Sequence, residues 1–227
     1  MKRGEVGRVW SGLLALLYPP KCVCCGTLLE SGEGWVCPGC ETALPVTDES
    51  NCAQSGNWFR LCVSPFFLEG TVNNSLNRFK FHHQEANGSY FGSQMGECAR
   101  SRLTGTFDVI TWVPVSRKRR RERGFDQSQV LAERVAKAYG QKLVCTLEKV
   151  RNIPPLSQTK GGREVRTELV KGLYRTLPAC HLAGKRVLLI DDIITTGSTL
   201  NEAGRVLLQA GAAEVCCVTA ARSWKEL

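Results

Sequence analysis

At 227 residues the chain is long enough for one α/β domain with a small accessory module. Hydrophobic residues at 43% and charged residues at 22% exclude a disordered chain. The formal net charge of +9 favours polyanionic partners such as nucleic acid, phosphate-rich ligands or anionic membrane, without choosing among them.

Lys2 and Arg3 precede a short apolar run, Leu13 to Tyr18, that has the outline of a signal-peptide core. Pro19-Pro20 ends it, no small-x-small cleavage site follows, and metal-type cysteines come next. The run is read as a short amphipathic helix covering the core. No stretch approaches the roughly 18–20 apolar residues needed to cross a bilayer. A cytoplasmic, reducing environment with no membrane span is expected, in which cysteines serve metal sites rather than disulfides.

Residues 1–65 are cysteine-rich and poor in periodic hydrophobics, so a module of that size needs something other than a core to hold it. Cys22-Val23-Cys24-Cys25 and Cys37-Pro38-Gly39-Cys40 supply two C-x-x-C knuckles, taken as Cys22/Cys25 and Cys37/Cys40. The spacing suits one tetrahedral four-thiolate zinc site of structural type. A redox C-x-x-C is the alternative, but it needs one pair in a thioredoxin-like setting. Cys24 competes as a ligand. Cys98, Cys145, Cys180, Cys216 and Cys217 are expected to behave as small buried hydrophobes.

Residues 66–105 are predicted to be mainly helical, with Leu76, Phe79, Tyr90, Phe91, Met95, Ala99 and Leu103 on a buried face. His82-His83 is taken as a surface or packing pair. From Phe107 onward strands and helices alternate, which implies a parallel sheet covered by helices; residues 66–227 form this α/β domain. Val109 to Val113 is a buried strand stopped by Pro114. A basic run from Arg117 to Arg123 follows, and there Arg117 and Arg123 are candidates to hold diphosphate or a nucleic-acid backbone. The bland reading is a solvated charge run. Val130, Leu131, Val135 and Ala138 mark a helix ending at Gly140, and 142–147 is a predicted strand. The polar stretch 151–172 reads as a long loop, with Gln158, Lys160, Arg163 and Arg166 placed to close over a ligand.

The strongest chemical signal is Val187 to Leu200. An apolar strand delivers Asp191 and Asp192 to the carboxyl edge of the sheet, where ligands bind in open α/β folds. Thr195, Thr196, Gly197, Ser198 and Thr199 then form a hydroxyl-rich turn opening a helix, a cradle for phosphate. Acids for ribose hydroxyls beside a cradle for a 5-phosphate match the signature of type I phosphoribosyltransferases. A Walker-B strand end and a hydroxyl-rich N-cap are the alternatives, and no G-x-x-x-x-G-K loop lies upstream.

Taken together, the chain resembles the ComF family (ComF/GntX). The resemblance rests on the knuckles, Arg78-Phe79-Lys80-Phe81, Val113-Pro114-Val115-Ser116, Arg123-Gly124-Phe125-Asp126-Gln127, Gln158 with Arg166, and Asp191 to Thr199. It departs where Asp126 and Leu169 stand in place of Asn, and where Cys52 and Cys62 each stand alone in what is often a second knuckle set. The resemblance implies a type I phosphoribosyltransferase-like domain behind a zinc-ribbon-like module, binding phosphoribosyl diphosphate (PRPP) with Mg²⁺. It also implies a role in natural competence, with single-stranded DNA and a helicase of the DNA-uptake machinery as partners. Two functions stay open: an enzyme transferring ribose 5-phosphate to an unidentified acceptor, with Asp191 and Asp192 fixing the ribose, or a module that binds PRPP without turnover. A structural zinc adaptor is a third.

Overall fold

The computed structural model describes residues 19–30, 33–82, 85–153 and 163–224. The predicted helix at 13–18, His83, Pro154-Pro155, Gln158 and Lys160 lie outside them, as do the side chains of His82 and Arg163. The strands are β1 (Ala53–Gln54), β2 (Cys62–Val63), β3 (Phe66–Phe67), β4 (Val109–Trp112), β5 (Leu147–Lys149), β6 (Tyr174–Thr176), β7 (Arg186–Ile194) and β8 (Glu214–Arg222). The helices are α1 (Pro38–Glu41), α2 (Gly70–His82), α3 (Glu85–Arg102), α4 (Arg117–Arg123), α5 (Gln127–Ala138), α6 (Arg163–Val170) and α7 (Ser198–Gln209).

The main sheet runs β1-β2-β8-β7-β4, and β3 also pairs with β8. All these pairings are parallel except β1 with β2. Parallel strands are buried on both faces, which explains why Val187 to Ile190 and Val215 to Val218 are continuously apolar. Alternate residues serve two cores. Ile110, Leu188, Ile190, Cys216 and Val218 join Leu76, Phe79, Phe91, Met95, Leu131 and Val135. Val109, Leu189, Val215 and Cys217 join Leu200, Ala203, Leu207 and Tyr174. The sheet is thus sandwiched between α2, α3 and α5 on one face and α6 and α7 on the other.

The approach of α3 to α5 depends on a glycine stripe. A Cβ at Gly88 would stand 2.8 Å from Val130 Cγ1, one at Gly92 2.4 Å from Arg134 Cβ, and one at Gly96 3.0 Å from Ala138 Cβ. Spaced four apart, the three glycines share one helix face. That close seating holds the N-terminus of α5 against the end of β7.

The helical stretch at 66–105 is as expected, and all seven of its predicted core residues are buried. Three expectations change. The strand predicted at 142–147 is a single bridge from Leu143 to Ile110; the chain then leaves β4, and only Leu147–Lys149 forms a strand, antiparallel to β6. Val144 and Cys145 are exposed, and the segment stays beside β4 through the Leu143 bridge and a 2.7 Å bond between the Thr146 and Thr111 hydroxyls rather than through a ladder. Within the expected loop at 151–172, the described residues Arg163–Val170 form α6, built from good helix formers between Gly162 and Gly172. Among the five cysteines expected in the core, Cys216 and Cys217 are buried, Cys98 and Cys180 half-buried and Cys145 exposed, because 145 lies on the departing strip.

Candidate functional site

β7 extends past its apolar core, so both acids sit within hydrogen-bonded strand: Asp191 registers with Thr219 and Ile194 with Arg222. Asp191 is buried, and its Oδ1 accepts from Ser128 Oγ and from the Asp192 N–H, each at 2.9 Å. Burial, together with the charge of Asp192, pushes its carboxyl up to about 7, against the pull of those two donors and of Lys80. Asp192 is met by the Lys80 ammonium of α2 at 2.7 Å, both side chains less than one-fifth exposed. Neither partner is marked as a site residue by its local sequence: Ser128 lies in the first turn of α5 and Lys80 between two phenylalanines. The available signal is a lysine directly after Phe79, on a helix whose Val72, Leu76 and Phe79 are buried.

The turn after β7 opens α7. Thr195 is exposed, Thr196 and Thr199 are half-buried, and Gly197 and Ser198 are buried. Gly197 takes the N-cap position at φ +71°, a left-handed conformation that a side chain disfavours. It offers no capping oxygen, so the first-turn N–H groups of α7 face outward without a side-chain acceptor, as an anion cradle requires. Ser198 Oγ lies 3.0 Å from Thr196 Oγ1 and 3.2 Å from Thr167 Oγ1 of α6. The helix found inside the predicted loop therefore leans on the turn. Arg166 on α6 is half-buried and its Nε has no partner among the described residues.

The basic run is a helix rather than a loop. Ser116 caps it by accepting from the Arg119 N–H at 3.3 Å, and Gly124 ends it at φ +78°. Arg117 is 89% exposed at its side chain and stands 3.9 Å from Glu148, while Arg123 Nη1 donates to Gln127 Oε1 at 2.8 Å. Arg117 thus approaches β5 and Arg123 the first turn of α5. Arg119 Nη2 donates to the Ile153 carbonyl, and burial lowers its pKa. Asp126 caps α5: it accepts from the Gln129 N–H at 3.2 Å, the Val115 N–H at 3.0 Å and Trp112 Nε1 at 3.3 Å. Its pKa is nonetheless raised, since burial outweighs the three donors.

The knuckles converge as their spacing implies. The sulfurs of Cys22, Cys25, Cys37 and Cys40 lie within 4.8 Å of one another. Cys25 and Cys37 are 3.7 Å apart, against about 3.8 Å for the edge of a tetrahedron with zinc–sulfur bonds of about 2.3 Å. The Cys37 N–H donates to Cys22 Sγ at 3.4 Å, the kind of contact that orients a thiolate. The thiols differ in acidity: hydrogen bonds with Thr27 draw Cys25 down to about 6, while burial pushes Cys40 up. The donor set fits a structural zinc ion. Cys24 is buried outside the cluster; Cys52 and Cys62 are also buried, and Cys62 pairs in register with Cys217. Val23, between the ligands, is tied to the helices: its carbonyl accepts from Ser75 Oγ at 2.5 Å, Asn87 Nδ2 at 3.0 Å and Arg78 Nη2 at 3.1 Å.

The phosphoribosyl transferase domain model matches residues 126–225 and the double zinc ribbon domain model residues 13–67. Competence protein ComFC of Bacillus subtilis is 28% identical over 94% of this chain and 89% of its own length. ComFC of Streptococcus pneumoniae is 29% identical over 91% of this chain and 90% of its own. The DNA utilization protein YhgH of Escherichia coli is 26% identical over 88% and 96%. Among the described residues, no helix is long and apolar enough to cross a membrane.

Proposed function

Since the chain is a ComF-family homologue with a phosphoribosyltransferase domain and a zinc ribbon, we propose that it binds PRPP with Mg²⁺ at Asp191, Asp192 and the 195–199 turn and serves in DNA uptake. The observation that carries this reading is the acid pair at the end of β7, Asp191 buried and Asp192 half-buried, followed by a helix start with no capping side chain. In it, the carboxylates accept from the ribose 2- and 3-hydroxyls, and the N–H groups and hydroxyls of the turn hold the 5-phosphate. Asp192 reaches a ligand by exchanging its bond to Lys80 for one to a hydroxyl. Ser128 keeps Asp191 oriented. Asp191 and Asp192 would stand beside a Mg²⁺ ion bound together with the diphosphate, and the ion would supply charge neutralisation there. Zinc supplies folding energy to a module too small for its own core.

Competence is the activity named for the ComFC relatives, and the surplus of positive charge suits single-stranded DNA as a partner. A cytoplasmic site of action beside a helicase of the uptake machinery belongs to the same reading. Calorimetric titration of Mg²⁺–PRPP into the protein and into an Asp191→Ala/Asp192→Ala variant tests the site. Loss of at least tenfold in affinity is expected; equal affinity removes the assignment. Diphosphate release from PRPP in the presence of a base or nucleoside distinguishes transfer from binding.

A further inference from the structure

Beyond the acid pair, on the other side of β4, lies a cleft of roughly 390 Å³ between the start of α4, the end of β5 and β6. Ser116, Arg117, Lys118, Glu148, Lys149, Val150, Arg151, Asn152 and Arg175 line it, so five cations face one carboxylate. Glu148 is engaged by Arg175 at 2.6 Å and approached by Arg117 at 3.9 Å. Among the described residues, the one carboxylate within ion-pair distance of Lys118 is its helix neighbour Glu122 at 3.8 Å, and none stands within that distance of Lys149 or Arg151. Lys149 is half-buried over the Tyr174 ring at 5.5 Å, and burial and the nearby Arg119 draw its ammonium down to about 8. Asp191 and Asp126 oppose that shift without coming within ion-pair distance, so the desolvated ammonium is available to an external anion.

The form of the surface restricts which anion. Val150 is the one apolar residue of the lining, and Tyr174 is buried beneath it, so there is no platform on which a base could stack. The positive surface also continues past the cleft along the exposed Arg120 and Arg121 of α4. That extent exceeds what a diphosphate group spans, and it suits an extended chain of phosphodiesters. Ser116, whose hydroxyl donates to Asn152 Oδ1 at 2.7 Å, marks the border between this surface and the loop that follows β4.

We propose that this cleft, continued along α4, is where the sugar–phosphate backbone of single-stranded nucleic acid lies, without base readout. The inference rests on the reading of DNA as a partner, but not on PRPP binding. The test is fluorescence anisotropy with a labelled thymidine 20-mer, repeated over a series of salt concentrations. Lys118→Gln/Arg151→Gln/Arg175→Gln is compared with Arg134→Gln/Lys137→Gln/Lys142→Gln, an equal charge loss on the exposed surface of α5 and the segment after it. The cleft variant is expected to lose tenfold or more in affinity and to lower the slope of log K against log salt by about 2, at about 0.7 per lost phosphate contact. The control is expected to lose less than threefold. Equal losses in the two variants overturn the site, leaving only general charge attraction. Retained affinity in the cleft variant overturns it as well, and so does competition by free diphosphate as strong as by unlabelled oligonucleotide. Mg²⁺–PRPP titration of the same variants keeps the two readings apart: the cleft variant is expected to bind as the parent does, and a parent that binds no PRPP refutes the acid-pair site while leaving the cleft result standing.

Discussion

Lys80 and Asp192 are joined at 2.7 Å between a helix that precedes the phosphoribosyltransferase match and the strand at its centre. The same helix holds the zinc knuckle through Ser75 and Arg78. Two turns of α2 therefore tie the cysteine module to the acid pair. Removing the ammonium leaves two adjacent carboxylates with one counter-charge fewer in a poorly solvated place. Lys80→Met is expected to destabilise by roughly 1–3 kcal/mol at pH 8. In the Lys80→Met/Asp192→Asn double variant most of that loss should disappear, as measured by chemical denaturation in a double-mutant cycle. Simple additivity would mean that the pair has no energetic role.

The acidity of Asp191 gives two linked expectations. Its carboxyl titrates near 7 in the fold but near ~3.9 in an unfolded chain. Between those values the folded protein binds the extra proton, so stability falls as pH rises from about 4 to 7 and levels off above. Asp191→Asn removes this slope and should gain on the order of 2–4 kcal/mol relative to the parent at pH 8 compared with pH 4. If ribose hydroxyls need the ionised acid, Mg²⁺–PRPP affinity should rise about tenfold from pH 6 to pH 8. A flat pH profile of binding argues against Asp191 as the acceptor.

Metal content separates ligands from bystanders. Serine at Cys22, Cys25, Cys37 or Cys40 should lower zinc affinity at least tenfold, because four thiolates share one ion. Serine at Cys24, Cys52 or Cys62 should leave zinc bound, read by a colorimetric chelator after thiol blocking. Since Val23 is fastened to α2 and α3, zinc removal should also increase hydrogen exchange in Gly70–His82, not in the knuckles alone.

Asp126 bonds three donors with two oxygens, and Oδ2 serves both Trp112 and Val115. Asparagine offers only one acceptor oxygen, so either the cap at Gln129 or the Trp112–Val115 side loses its partner. A cost of about 1–2 kcal/mol is expected for Asp126→Asn by thermal unfolding, even though the neutral side chain avoids the burial of charge. An unchanged midpoint would show that the third hydrogen bond does not contribute to stability.

The glycine stripe offers a packing test with a readout at the site. Gly92→Ala places a methyl 2.4 Å from Arg134 Cβ and 3.2 Å from the Leu131 carbonyl, so α5 must move. Overpacking of this kind costs about 1–3 kcal/mol. Because Ser128 rides on α5, the displacement should also weaken Mg²⁺–PRPP binding, whereas Gly140→Ala, in open space beyond the helix, should affect stability through backbone strain alone.

Where chemistry is local, the residues alone were decisive: two C-x-x-C pairs close on one ion because each knuckle is a short chelate, and an apolar run followed by Asp191-Asp192 and a glycine-hydroxyl turn determines a strand tip leading into a helix. Contacts distant in the chain were decided only by folding. Lys80 meets Asp192 across 112 positions, Ser128 meets Asp191 across 63, and α6 covers a turn that its polar composition did not announce. Such partners carry no local periodicity, since it is the stacking of helices on a parallel sheet, and the glycine-permitted closeness of α3 and α5, that brings them together. The strip at 142–147 shows the converse: its local preference for strand yielded to one bridge at Leu143 and a hydroxyl contact from Thr146 to Thr111, after which the chain turns to pair with β6.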